Sequence, residues 1–92
     1  MHWDIEWDPA KAARNLKKHK VSFEEAATAL LDPNALAQPD TSSTEERWLL
    51  MGMSSEARLI TLVYTLRGED RIRLISARKP TRTEAKIYAQ GI

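Results

Sequence analysis

Three β-type segments that follow one another with almost no chain between them constrain this sequence more than any other feature. Segments 47–53, 58–66 and 71–77 are rich in apolar and β-branched residues, and only Ser55-Glu56-Ala57 and Gly68-Glu69-Asp70 connect the last two to what precedes them. Connectors that short make hairpins, and a hairpin forces its two strands antiparallel, so an antiparallel meander is expected. The third segment continues into Arg78-Lys79 and gives four of its nine positions to Arg or Lys. Ile72 and Leu74 alternate with Arg71 and Arg73, so one face packs while the other carries guanidinium groups. Arginine on a rigid strand meets a carboxylate, a phosphate or an aromatic face. A sheet that displays a row of cations is suited to an anionic partner.

The remaining elements follow from caps and periodicity. Trp3-Asp4-Ile5-Glu6-Trp7 alternates as a short strand with its tryptophans and isoleucine buried. Asp8-Pro9 opens a helix over 9–18, with Ala13 and Leu16 facing inward and Lys17, Lys18 and His19 suiting its negative end. Ser22 and Glu25 form a capping box for a second helix over 23–31, which Asp32-Pro33-Asn34 stops. Residues 36–38 read as an edge strand and 40–45 as a polar, mobile loop. Thr81 and Glu84 form a second capping box, opening a last helix that Gly91 ends. The order β-α-α-β-β-β-β-α describes an α+β fold, an antiparallel sheet with helices packed on one face. With 92 residues there is room for a single domain, 1–92.

Composition removes several classes of function. There is no cysteine, hence no disulfide framework, thiolate chemistry or cysteine zinc site. Two histidines in different elements make a poor ligand set, so no metal is expected, and three isolated glycines form no phosphate loop. No apolar run approaches the length of a membrane span and no signal-peptide core follows Met1, so a cytoplasmic protein without membrane contact or cofactor is expected. The net charge of +1 conceals a segregation: residues 11–20 hold five basic residues and no acid, and 67–86 hold seven basic residues against three acids. Brought together, these segments would form a basic patch; kept apart, they are two solvated faces.

What is left suits RNA phosphodiester cleavage, which needs a base for the 2′-hydroxyl, an acid for the leaving 5′-oxygen and cations for the phosphorane oxygens. His19 is the natural acid–base candidate by residue type and stands among Lys17, Lys18 and Lys20; alternatively it only ends a helix. His2, at an unanchored terminus, is left out. Arg47, Arg58, Arg73, Arg78 and Lys79 are the phosphate candidates, with at least one of the arginines expected to be a structural ion pair. Glu46 or Glu45 could act as a base or sit in a salt bridge. Trp48 could stack on a base, although a strand tryptophan more often belongs to the core. Tyr64 shares a face with Ile60, Leu62 and Leu66, which favours the core.

In this order and at these spacings, several motifs resemble the BrnT family of bacterial type II toxins. They are Glu6-Trp7-Asp8, Lys11, Asn15, the run from Lys18-His19-Lys20-Val21-Ser22-Phe23 through Glu24-Glu25-Ala26, Glu45-Glu46-Arg47, Gly52-Met53-Ser54, Arg58-Leu59, Ile72-Arg73-Leu74-Ile75-Ser76-Ala77-Arg78-Lys79, Glu84 and Tyr88. The resemblance covers nearly the whole chain. It implies a RelE-like toxin fold and a ribonuclease that arrests translation. It also implies a BrnA-type ribbon-helix-helix antitoxin that contacts promoter DNA on behalf of the complex. His19, Glu46, Arg47, Arg73, Arg78 and Lys79 fall on motif positions. Three departures stand out: Lys20 where glycine is common, Tyr64 where histidine is frequent, and Pro80 where alanine is commoner. A non-glycine residue at a left-handed helix end would be strained.

The expectation is therefore a metal-independent endoribonuclease toxin. Its catalytic set would be His19, Glu46, Arg47, Arg73 and Arg78, with Lys18, Arg58 and Lys79 binding substrate phosphate. Its partners would be RNA and an antitoxin that covers the cationic sheet face and the flanking helices. The alternative is a non-catalytic corepressor or degenerate toxin that only binds its antitoxin, which the Lys20 and Tyr64 departures motivate.

Overall fold

A computed structural model describes residues 3–41 and 44–91; His2 and the Ser42-Ser43 part of the 40–45 loop lie outside the described residues. The elements are β1 (Asp4–Glu6), α1 (Pro9–His19), α2 (Phe23–Ala29), β2 (Leu36–Asp40), β3 (Arg47–Met53), β4 (Leu59–Arg67), β5 (Arg71–Arg78) and α3 (Arg82–Gln90). They build one sheet in the order β1-β5-β4-β3-β2.

From β2 to β5 the strands pair antiparallel. The sheet as a whole is mixed, which corrects the antiparallel expectation, because β1 lies parallel to β5 with Asp4 opposite Arg71 and Glu6 opposite Arg73. No hairpin joins these two strands, so no local rule sets their direction. Cross-strand pairs of opposite charge favour this register, and the Asp4 N–H donates to the Asp70 carbonyl at 2.8 Å.

Alternation along the strands gives the sheet two different faces. On the first, α1 and α2 cover Leu50, Ile60, Leu62, Leu74 and Ala77, and Val21, Phe23, Ala26 and Ala29 complete the core. Trp7 meets Phe23 edge to face, with ring centroids 5.9 Å apart. α2 comes so close to β3 that a Cβ on Gly52 would lie 2.5 Å from the Ala29 carbonyl oxygen. The inward face of α1 is Ala12 and Asn15, rather than Ala13 and Leu16; Leu16 is 48% exposed. Asn15 can be buried because its amide is fully used, donating to the Val21 and Ala77 carbonyls and accepting from the Ala77 N–H. Trp3, expected in the core, is 39% exposed.

α3 lies on the second face, so the helices do not share one side as the pattern had implied. The Thr81–Glu84 capping box is complete. Glu84 also accepts from the Thr61 hydroxyl at 3.1 Å and from Arg78, and Thr61 and Arg78 are register partners. With α1 and α2 already occupying the first face, these polar contacts hold the first turn of α3 on the other. At its far end Tyr88 donates to Asp32, whose carboxylate also accepts from the Met53 and Asn34 N–H groups.

Lys20 closes α1 in the left-handed region, at φ 61° and ψ 28°, as its place after the helix suggests. An L-residue there carries a cost of roughly 1–2 kcal/mol. Lys20→Gly should therefore stabilise the domain by about 0.5–1 kcal/mol after the larger chain entropy of glycine is counted. Urea unfolding of the two proteins measures this, and an unchanged or lower midpoint would show the conformation to be unstrained.

Candidate functional site

The second face of the sheet gathers the arginines, and a backbone irregularity makes this possible. Arg73 and Arg78 are five residues apart, so strict alternation would send them to opposite faces. Between β4 and β5 the register shifts: Tyr64 pairs with Leu74 but Val63 pairs with Ser76, leaving Ile75 unmatched. This β-bulge restores Ala77 to the core and turns Arg78 onto the face that carries Arg71 and Arg73. Arg47 joins them from β3, one position before the Trp48–Tyr64 pair, and Arg67 lies opposite Arg71.

A carboxylate holds most of these guanidinium groups. Arg78 makes a fork-to-fork pair with Glu84, at 2.8 and 2.9 Å, and its Nη1 also donates to the Lys79 carbonyl at 3.1 Å. The Arg78 guanidinium, followed by the Thr81 N–H, holds the Glu84 carboxyl down at about 2 against the opposing effect of burial. Arg73 donates to Glu6 at 2.8 Å, and Arg71 approaches the other oxygen of Glu6 at 3.4 Å. Arg47 meets Glu45 at 3.1 Å. The Thr65 hydroxyl donates to the Glu46 carbonyl at 2.9 Å, and Thr65 is the register partner of Arg73, so the Glu46 backbone is held beside the arginine row while its side chain is exposed. The arrangement can present oriented, always-charged donors to a phosphodiester.

Arg58 stands apart. Its Nε and Nη2 donate to the two oxygens of Glu25 at 2.7 and 2.5 Å, and Nη2 reaches the Lys20 carbonyl at 3.1 Å. Glu25 also accepts from the Ser54 hydroxyl at 2.7 Å, and its carboxyl is held down at about 2, chiefly by Arg58. Because of these bonds the Ser22–Glu25 box is half made: Ser22 accepts from the Glu25 N–H, while the Glu25 side chain turns to Arg58. At least one arginine was expected in an ion pair; all four arginines named as phosphate candidates make one, and that of Arg58 is with the most deeply buried carboxylate.

Lys18 and His19 end α1, which packs on the first face, and no hydrogen bond or ion pair joins either to the arginine row among the described residues. Lys79 is exposed, immediately after Arg78. Tyr64 is half-buried against the core, and burial pushes its hydroxyl pKa up. Trp48 does not pack on the core; it lines two open cavities. The acidic partners Glu6 and Glu84 were not singled out as site residues from their types and spacing. The available signal was their place in the motif series, Glu6 before Trp7 and Glu84 within a capping box. Among the described residues, no group of three or more His, Cys, Asp or Glu side chains could hold a metal ion. No described helix is long and apolar enough to cross a membrane.

A family model described as the ribonuclease toxin BrnT of type II toxin–antitoxin systems matches residues 7–84 of this chain. No curated protein matches it in sequence. The 1.1 Å crystal structure of the Brucella abortus ribonuclease toxin BrnT superposes with a TM-score of 0.69, at 22% identity, covering 87% of this chain and 99% of that one. At that identity the likeness concerns the fold, a mixed α+β architecture with a five-stranded sheet.

Proposed function

This chain belongs to the BrnT family of ribonuclease toxins of type II toxin–antitoxin systems, and on that premise we propose that it is a metal-independent endoribonuclease working from the arginine-bearing face of its sheet. The observation that supports this reading is the bulge at Ile75, which places Arg78 on the same face as Arg71 and Arg73. In the proposed reaction Arg47, Arg73, Arg78 and Lys79 hold the scissile phosphate and take up charge on the phosphorane oxygens. The exposed carboxylate of Glu46, a residue whose backbone carbonyl accepts from Thr65, takes the 2′-hydroxyl proton as that oxygen attacks phosphorus, and the 5′-oxygen leaves with a proton from water. Arg58 serves the fold rather than the phosphate. His19 and Lys18, on the helix side, are peripheral in this reading.

Family membership carries an antitoxin partner. We take it to be of the BrnA type, contacting promoter DNA for the complex, and we take the toxin to be a RelE-like single domain that arrests translation in the cytoplasm. Controlled expression of the chain alone, scoring growth and total RNA integrity, tests the core of the proposal. Arrest with RNA loss, and cleavage by the purified protein that persists in excess chelator, are the expected results. His19→Ala should cleave as wild type; a large loss would return His19 to the catalytic set.

One observation favours a second reading. Arg47, Arg71, Arg73 and Arg78 already face carboxylates, which lowers their attraction for phosphate. Normal growth with folded, soluble protein would point to a non-catalytic corepressor that only binds its antitoxin.

A further inference from the structure

The first face of the sheet is only partly roofed by α1 and α2. Beyond their edge an open groove of about 600 Å³ runs over Trp48, Tyr64 and Leu66, bounded by Trp3 at one side and Leu30 and Leu31 at the other. Among the described residues, no charged side chain lines it. Three of these residues stay substantially in solvent: Trp3 is 39%, Leu66 45% and Leu31 79% exposed. Large exposed apolar patches on small domains mark interaction surfaces.

The groove does not end blindly. It shares Trp48 and Leu66 with a second cavity of about 570 Å³, whose lining includes Asp40, Glu45, Glu46 and Arg47. Three carboxylates therefore stand against one guanidinium at that end. The two cavities adjoin at these shared residues; taken together they make a channel lined by apolar residues on one side of Trp48 and by acidic residues at the end of β2 and the start of β3.

We infer that this channel is the docking site of the antitoxin, which fills it with an amphipathic segment: apolar side chains along the groove and Lys or Arg at the acidic end. The inference rests on the toxin reading above and names the surface its protein partner uses. Charge decides the occupant. Beyond the phosphate held at Arg47, an RNA strand continuing into the channel would run its phosphates past Asp40 and Glu45 and would find no cation along the groove among the described residues. A second copy laid groove to groove would bring none of the β5 arginines to the acidic ends, since Arg71, Arg73 and Arg78 project from the other face of the sheet. A segment with apolar anchors and a basic end satisfies both parts, with anchors in the apolar centre and charges at the rim. Neutralisation follows from position. The basic end settles against Asp40 and Glu46, beside Arg47 at the edge of the proposed reaction site, and Arg73 and Arg78 need not be covered.

The test uses the full-length toxin and its purified cognate antitoxin as the probe. Leu31→Glu combined with Leu66→Glu changes two exposed side chains outside the proposed catalytic machinery. It should weaken antitoxin binding at least about tenfold and abolish rescue by co-expressed antitoxin. Growth arrest without antitoxin should be unchanged. Asp40→Lys should weaken binding separately, with a shallower dependence on salt than the wild type. Hydrogen exchange on the unaltered toxin provides a check that needs no variant: antitoxin should protect amides of β2 and β3 around Ala37 and Trp48. Wild-type affinity in the double variant, or no protection at these amides, would overturn the inference. So would loss of RNA binding with antitoxin affinity intact, which would make the channel a nucleic-acid site. Self-association that the double variant abolishes, with antitoxin affinity unchanged, would assign it to a second copy. If the wild-type chain never arrests growth, the ribonuclease reading fails while these binding measurements still decide the docking site.

Discussion

Arg78→Ala should reduce RNA cleavage by about 10²–10³-fold, the loss expected when a donor to developing oxyanion charge is removed from a preorganised site. Arg78 is the residue to test because its geometry is the most determined on the face. Glu84 grips both of its terminal nitrogens, the Lys79 carbonyl takes a further bond, and the bulge sets the direction of the side chain. Arg78→Lys keeps the charge but loses the fork, and should recover only part of the activity. Glu84→Gln separates chemistry from architecture. It leaves the guanidinium in place while removing the charge that holds it, so it should cost less activity than Arg78→Ala. The checks are cleavage rates of a defined RNA and circular dichroism to establish folding. Folded Arg78→Ala cleaving at the wild-type rate would remove Arg78 from the site. Equal losses in Arg78→Ala and Glu84→Gln would mean that the pair only fastens α3 to the sheet.

Glu25→Gln should lower stability by about 3 kcal/mol at neutral pH and by little at pH 2. The Glu25 side chain is 4% exposed and is satisfied by Arg58 and Ser54. Its carboxyl falls from 4.5 to about 2, first through the Arg58 hydrogen bonds. A pKa lowered on folding adds stability that is fully present above the unfolded value of 4.5 and is lost as pH falls through the folded value. At 1.36 kcal/mol per pH unit, a gap of this size corresponds to about 3 kcal/mol. In a domain whose whole stability is typically about 5–15 kcal/mol, this is a major share. Glu84 is lowered over the same range and adds to the acid sensitivity. Urea unfolding at pH 7 and at about pH 2 reads both arms. Curves for wild type and Glu25→Gln that run parallel at all pH values would show that the ion pair contributes no linkage.

The Glu25–Arg58 pair also shows where reading the sequence stopped. Both residues stood out, Glu25 as half of a capping box and Arg58 as a phosphate candidate, but their roles exchanged once they met across 33 residues. The same holds for Asn15, which sits in a helix as an ordinary polar residue until its amide pairs with the backbone of Ala77, 62 residues away. Trp48 reads as core by residue type; α2 stops at Ala29 and leaves its face of the sheet unroofed. Long-range pairings and the reach of a helix over a sheet are properties of the assembled molecule.

Local rules sufficed for the hairpins of β3, β4 and β5, the Thr81–Glu84 box and the overall α+β class. Each depends on residues a few positions apart, whose steric and hydrogen-bonding preferences act before tertiary contacts exist. The motif series likewise carried the family assignment, since residue identities in order need no coordinates. Three things were decided only by the folded chain: the parallel direction of β1, the side of the sheet taken by α3, and the face on which Arg78 emerges. All three turn on pairing between distant segments. A one-residue slip reverses every side chain beyond it, because strand side chains alternate with a period of two. The slip at Ile75 is set by how β5 registers against β4, and it puts the arginines on one face.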